Sequence, residues 1–491
     1  MTKTSKIISI CLLSIVLSHN DCGIAQPLPQ SDAWIEDFAQ LKREMETHYA
    51  NLEWSVSERR MDLKQLSRET ESRLRQSRSD SEAKRVIESF LQAFGDGHLK
   101  VTWPSQSAMS FENQAADSKQ SLCSRLGFKL NQPASGINFR LLDCFGELVT
   151  VDSKYFPIGI LSLPDGKKVG LLRIALFSEY SFPDLCESAT TQMGLKKKDD
   201  PCDQACAARV ECKAADMLTA ALERQLRALD GIDALVVDIT GNGGGSDWVE
   251  PAARVLTSKK LRSPRIGFIR HEHWIKQLRE RLRVIEADTD FERTSPAQQD
   301  LMLQAAQIYR KALSEAGQPV ARAMLWENKQ PVRSLVVKDL LFTSGTTAYL
   351  DPGELCGTPA SEEIFYPSRY AYHEGTYSGP LIILVDGRTA SSAEYFVSML
   401  VDNGAAAVIG SPTNGAGAGY TDGGIPTILK NSGGNVKMPD CVRFRADGSN
   451  EVLGFAPDPL IPWGLNDSPY QRAKRVLKTL TYVMRAYSKK L

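Results

Sequence analysis

The sequence predicts an α/β protein with a helical N-terminal domain and a β-rich middle region. Three observations carry this reading. From Asp32 to about Ala93, apolar residues recur at three- and four-residue steps (Trp34, Phe38, Leu41, Met45; then Val86, Ile87, Phe90, Leu91) in proline-free, charged surroundings. Ala234–Ile239 and Leu381–Val385 are short, uninterrupted apolar runs of the kind a strand buried on both faces requires. Each of these runs leads into a glycine- or serine-containing turn and then a helical pattern, the alternation of a parallel sheet.

At 491 residues the chain has room for about three domains of roughly 150 residues. Hydrophobic residues at 42% and charged residues at 24% exclude both wholesale disorder and a polytopic membrane protein. Fifty-nine basic side chains balance fifty-nine acidic ones, so no global field attracts a phosphate backbone. Nucleic acid is therefore not an expected partner.

The elements follow in order. Lys3 and Lys6 precede the apolar run Ile7–Leu17, and Gly23-Ile24-Ala25 ends the segment with small residues. Residues 1–25 read as a cleaved secretory signal peptide, too short to span a bilayer, so the protein is expected to be secreted or periplasmic, without stable membrane insertion after cleavage. Eight cysteines remain beyond it: Cys123, Cys144, Cys186, Cys202, Cys206, Cys212, Cys356 and Cys441. In an exported chain an even number favours disulfides, up to four here. A zinc site at Cys202, Cys206 and Cys212 lacks a nearby histidine or second Cys-x-x-Cys, and no metal is expected.

Residues 26–105 form the helical domain. Residues 106–165 are the β-rich region, with β-leaning runs at Phe139–Leu142 and Leu148–Val151 but no convincing PDZ pattern. Residues 166–491 complete the chain, opening on the β-leaning run Val169–Phe177 and a helix over Ala214–Leu229. A charged insertion at about 258–344 has helical periodicity at Trp274–Ile285 and Ala297–Ala316 and could form a lid. Strand Leu381–Val385, helix Ser391–Val401 and strand Ala405–Ile409 follow.

Three segments carry the candidate chemistry. In Asp386–Glu394 a tight turn presents Ser391 where the free amides of a helix start can stabilise an oxyanion; taken alone, the segment serves equally well for helix capping by Ser391 or Thr389. The cluster Gly241-Asn242-Gly243-Gly244-Gly245 lets main-chain amides approach a ligand. It lacks the Gly-Lys-Ser/Thr of a P-loop, and Ser246 stands where a dinucleotide fingerprint needs glycine, so no cofactor is expected. Asp96-Gly97-His98 places a histidine in a turn that ends the helical domain. His271 and His273 form a His-x-His pair without a carboxylate partner.

These segments, in this order, resemble the S41 peptidases, the C-terminal-processing proteases and their tricorn-core relatives. Asp96-Gly97-His98 resembles the family's histidine motif, Leu235–Gly245 its Asp-Leu-Arg-x-Asn-x-Gly-Gly segment, and Thr389–Glu394 its serine motif; Pro412–Gly415 and Gly454–Asp458 continue the match. The resemblance implies a ClpP/crotonase-like catalytic core and hydrolysis of peptide bonds in peptide or protein substrates through an acyl-enzyme. In register, it makes Ser391 the nucleophile, three residues before Glu394, with the Ser392 amide as one oxyanion donor and Gly244 as the other, Gly245 competing. Ala416 stands where the Ser/Lys branch carries its base. The tricorn-like branch uses a histidine held by a carboxylate, which implies His98 as base and Glu451 as its partner, with Asp458 as fallback. The alternatives are an inactive binding protein on the same scaffold and an esterase with the same triad.

Overall fold

The computed structural model describes residues 30–104, 121–132, 134–195, 202–270, 272–289, 295–317, 322–329, 335–338, 351–358, 369–420, 425–464 and 466–487. The expected signal segment, residues 105–120 and His271 lie outside them. The strands run in chain order as β1 (Lys100–Thr102), β2 (Phe145–Leu148), β3 (Ile158–Ser162), β4 (Lys168–Arg173), β5 (Ala234–Asp238) and β6 (Arg265–Ile269). They continue as β7 (Leu335–Lys338), β8 (Leu381–Val385), β9 (Ala407–Gly410), β10 (Ile425–Ile428), β11 (Asn435–Met438) and β12 (Cys441–Phe444).

The central sheet has the order β2-β3-β4-β5-β8-β9. Its last four strands are parallel and its first three antiparallel. Successive side chains of a strand point to opposite faces, and both faces here are apolar. Leu235, Val237, Leu381, Ile383 and Val385 pack with the helix Gln204–Ala228 and the helix Ser392–Asp402, while Ala234, Val236, Ile382 and Leu384 pack with the C-terminal helix Pro469–Tyr487. The sandwiched sheet explains why β5 and β8 read as unbroken apolar runs. In the middle region, Phe139–Leu141 is a 3-10 turn, and β2 and β3 are antiparallel extensions of the central sheet.

Four helices, Gln30–His48, Leu52–Ser57, Leu63–Gln76 and Asp80–Gln92, build the N-terminal region around Phe38, Leu41, Met45, Phe90 and Phe94. Leu429, Val436 and Met438, from the far end of the chain, complete that core. Strand β1 pairs antiparallel with β11, Lys100 opposite Lys437. This pairing closes a loop of more than 300 residues and fixes where the turn before β1 must lie.

The insertion is a packed α/β layer. Strand β6 lies between β12 and β7, covered by the helices Glu272–Thr289 and Pro296–Ala316. Its core (Trp274, Leu278, Leu301, Tyr309) also takes in Ala418 and Cys441. Disulfides join Cys123 to Cys186, Cys202 to Cys206 and Cys212 to Cys356. Three bridges thus form where up to four were expected, because Cys144 and the buried Cys441 are unpaired thiols. Asp216 lies beside Cys212 and Cys356, but those two sulfurs are bonded to each other.

Candidate active site

Two turns at the carboxyl ends of adjacent parallel strands build the floor of the site. After β5, Asp238 Oδ1 accepts the Thr240 N–H (2.9 Å) and hydroxyl (2.7 Å), forcing the chain to turn at once. After β8, Asp386 Oδ1 accepts the Gly241 N–H at 2.7 Å and the Arg388 N–H at 3.0 Å. Ala390 N–H donates to the Asn242 carbonyl at 3.0 Å and the Thr389 hydroxyl to the Ile239 carbonyl at 3.2 Å, so the two turns are laced into one unit. Thr389 therefore ties turns together rather than capping the helix.

Ser391 sits at the tip of the second turn with φ +58° and ψ −124°, a conformation that L-residues avoid. Its hydroxyl faces His98, with Oγ 3.1 Å from Nε2. The other ring nitrogen, Nδ1, meets the Ala416 carbonyl oxygen. A carbonyl can only accept, so Nδ1 carries the proton and Nε2 is left as the acceptor for the Ser391 hydroxyl. Burial pushes the His98 pKa down to about 4, and the cations of Arg443 and Lys100 add to the fall. The imidazole is accordingly neutral at pH 7, as a proton acceptor must be.

The turn bearing His98 is held from below. Asp96 is buried; its Oδ1 accepts the His98 N–H at 3.0 Å, and its Oδ2 accepts the Asn51 amide at 2.8 Å and the Tyr49 hydroxyl at 3.1 Å. Burial raises the Asp96 pKa to about 6 against the pull of these donors. From the open side, the Tyr420 ring meets the imidazole edge to face at 5.3 Å, and its hydroxyl donates to the His98 carbonyl.

Glu451, expected against the imidazole, is placed elsewhere. Its Oε1 accepts the Ser398 hydroxyl at 2.7 Å and its Oε2 pairs with Arg443, whose guanidinium also donates to the Gly417 carbonyl at 3.2 Å. The backbone of Ala416 occupies the position at Nδ1 instead. The fallback Asp458 also forms no contact with His98 among the described residues; a cis peptide bond joins it to Pro459.

Gly244 lies directly against Ser391: a Cβ there would stand 2.9 Å from Ser391 Cβ and 2.7 Å from the Ser392 nitrogen. Its N–H, expected as an oxyanion donor, donates to Asn242 Oδ1 at 2.9 Å and is engaged. Gly245 is bridged to Phe177 as in a parallel ladder, which turns its own N–H and C=O to the opposite edge. On that edge its carbonyl accepts the Ser392 hydroxyl at 3.2 Å.

Sequence reasoning assigned no role to two of these groups. One is the Ala416 carbonyl, invisible because main-chain acceptors carry no residue signature. The other is Glu394, whose Oε2 accepts the Ser391 N–H at 3.1 Å and whose remaining contacts reach Thr413, Gly415 and Ala416.

A mixed α/β core with a helical N-terminal region, and a serine and a histidine meeting at the carboxyl ends of its parallel strands, define the class. The sequence pattern of Peptidase family S41 matches residues 168–459, more than half of the chain, and the chain belongs to that family. The structure is similar to mature CPAF complexed with lactacystin, at a TM-score of 0.54 and 15% identity over 92% of this chain and 98% of that one. It is similar to mature CPAF at a TM-score of 0.52 and 16% identity, over 92% and 96%. The photosystem II D1 C-terminal processing protease aligns at a TM-score of 0.31 and 13% identity, over 93% and 98%. No curated protein sequence matches the chain.

Proposed function

We propose that this S41 peptidase is an exported serine endopeptidase with Ser391 as nucleophile and His98 as general base. The observation that carries the reading is the 3.1 Å contact between Ser391 Oγ and Nε2 of an imidazole whose other nitrogen is held by a carbonyl. Nε2 takes the hydroxyl proton as Oγ adds to the scissile carbonyl carbon, and the carbonyl electron pair moves to oxygen. The resulting oxyanion accepts hydrogen bonds from the Ser392 N–H at the helix start and from the Gly245 N–H. Collapse breaks the C–N bond, and the proton on Nε2 goes to the leaving amine. Water then repeats the sequence on the acyl-enzyme and frees Ser391.

Glu451 acts on this pair at one remove: by neutralising Arg443 it limits the cation's opposition to imidazolium formation. Peptide or protein chains are the substrates. Three disulfides support an oxidising compartment, and no helix among the described residues is long and apolar enough to cross a membrane.

The test is labelling with a fluorophosphonate probe together with hydrolysis of an unstructured protein substrate. The wild type labels and cleaves, and Ser391→Ala does neither. A folded wild type that refuses the probe would favour the inactive binding protein; labelling with hydrolysis of esters but not amides would favour the esterase.

A further inference from the structure

We propose that Glu394 is a positioning residue whose single carboxylate sets both the nucleophile and the base; this rests on the assignment of Ser391 and His98 above. Glu394 is fully buried one helical turn beyond Ser391. Its Oε2 accepts the Ser391 N–H at 3.1 Å and the Ala416 N–H at 2.8 Å. Its Oε1 accepts the Gly415 N–H at 2.8 Å and the Thr413 hydroxyl at 2.6 Å. Four donors converge on one acceptor-only group, and an ionised carboxylate offers about four lone-pair sites for them.

The consequence lies in what these donors belong to. Ser391 N–H is the backbone of the nucleophile in its strained conformation. Ala416 N–H belongs to the residue whose carbonyl fixes the proton on Nδ1 of His98. The two halves of the catalytic pair come from opposite ends of the chain, and Glu394 joins the backbone of one to the support of the other. A residue that only capped its helix would need the Ser391 N–H alone; the contacts to Thr413, Gly415 and Ala416 lie 19 to 22 residues away. Glu451, the carboxylate expected behind the imidazole, is tied to Ser398 and Arg443. In this chain the orienting carboxylate reaches His98 through the backbone of Ala416, whose N–H it accepts and whose carbonyl meets Nδ1.

The chemistry requires a carboxylate rather than a carboxamide. In Glu394→Gln the NH2 group must face one of the two donor pairs, leaving at least one main-chain N–H without an acceptor. The loop segment Thr413–Ala416 then moves by a fraction of an ångström, enough to spoil the Ser391–His98 alignment. Glu394→Asp keeps the charge but is one methylene short, so it holds part of the network.

The test uses the full-length protein, with a peptide substrate and a fluorophosphonate probe. Glu394→Gln is expected to lower kcat and the probe's second-order rate by on the order of 10²-fold, with KM within about threefold, because no substrate contact is removed. Glu394→Asp is expected to recover about tenfold of that loss. The acid limb of the labelling rate is expected at lower pH in Glu394→Gln, because the hydrogen bond to Ala416 that raises the His98 pKa is loosened. A folded Glu394→Gln that labels at the wild-type rate, or one that loses only KM, overturns the proposal while leaving the Ser391–His98 reading intact. If Glu394→Gln does not fold, a wild-type rate in Glu394→Asp overturns it. A wild type that does not label removes the reading beneath it.

Discussion

Gly244 stands so close to Ser392 that a single added carbon would be 2.7 Å from the Ser392 nitrogen. That nitrogen carries one of the amides proposed to receive the oxyanion, and the carbon would occupy the space the oxyanion needs. The position also has φ +99°, which penalises any L side chain. Gly244→Ala is therefore expected to lower kcat by about 10² to 10³-fold, the usual consequence of losing an oxyanion donor. Steady-state kinetics on a peptide substrate checks this, with substrate binding measured separately on Ser391→Ala. A Gly244→Ala enzyme of normal kcat would mean that the oxyanion forms elsewhere.

Ala416 contributes its carbonyl, and its side chain faces the histidine turn. Its Cβ lies 3.1 Å from where a Cβ on Gly97 would be, and the residue is buried. Introducing the lysine that the Ser/Lys branch would carry there, Ala416→Lys, overpacks this buried contact with the histidine turn and is expected to displace His98, cutting labelling by more than about 10²-fold. Ala416→Gly keeps the carbonyl and should label within about fivefold of wild type. The comparison separates the backbone's role from the side chain's.

What the sequence made legible follows from what each feature depends on. Strand β8 and the helix after it were readable to within a residue, because both faces of the sheet are buried and the apolar run is unbroken. Ser391 and His98 were readable as a resemblance in motif order, although nothing local brings them together. The pairing of β1 with β11 does that, and strand pairing across more than 300 residues leaves no mark in periodicity. Glu451 was expected against the imidazole because a carboxylate is the usual partner. The structure supplies a main-chain carbonyl there, and no residue type announces one. Phe139–Leu142 was read as extended from its composition, but its three-residue turn is set by contacts with the C-terminal helix.

Ser391 has positive φ in a region that glycine tolerates and serine does not. Replacing it with two inactive residues isolates the strain from the chemistry. Ser391→Gly is expected to be more stable than Ser391→Ala by about 1 kcal/mol, with neither labelled by the probe. Chemical denaturation of the two variants measures the difference. Equal stability would mean that the turn relaxes once the hydroxyl is gone.

The two ionisable groups of the histidine turn push stability in opposite directions with pH. An unfolded chain protonates His98 near its ordinary value of 6.5, whereas the folded chain resists until about 4. Between those values the unfolded state binds more protons, so His98 makes the fold less stable as the solution is acidified. Asp96 is the converse: its folded pKa of about 6 lies above the ordinary 3.8, so the folded state keeps a proton the unfolded state has lost. Its contribution falls as pH rises through that window. In the wild type the two largely offset each other. His98→Ala removes the first and leaves the second, so the variant's stability relative to wild type should be greater at pH 5 than at pH 8 by on the order of 2 kcal/mol. Denaturant unfolding at the two pH values measures it. In the active enzyme the same depression keeps the imidazole neutral, so kcat/KM should hold more than half of its plateau value at pH 6.5, where an unperturbed histidine would already have lost half. A His98→Ala variant whose relative stability is the same at both pH values, in a protein whose rate falls off around 6.5, would show that His98 is solvated rather than enclosed against Ser391 and the Ala416 carbonyl.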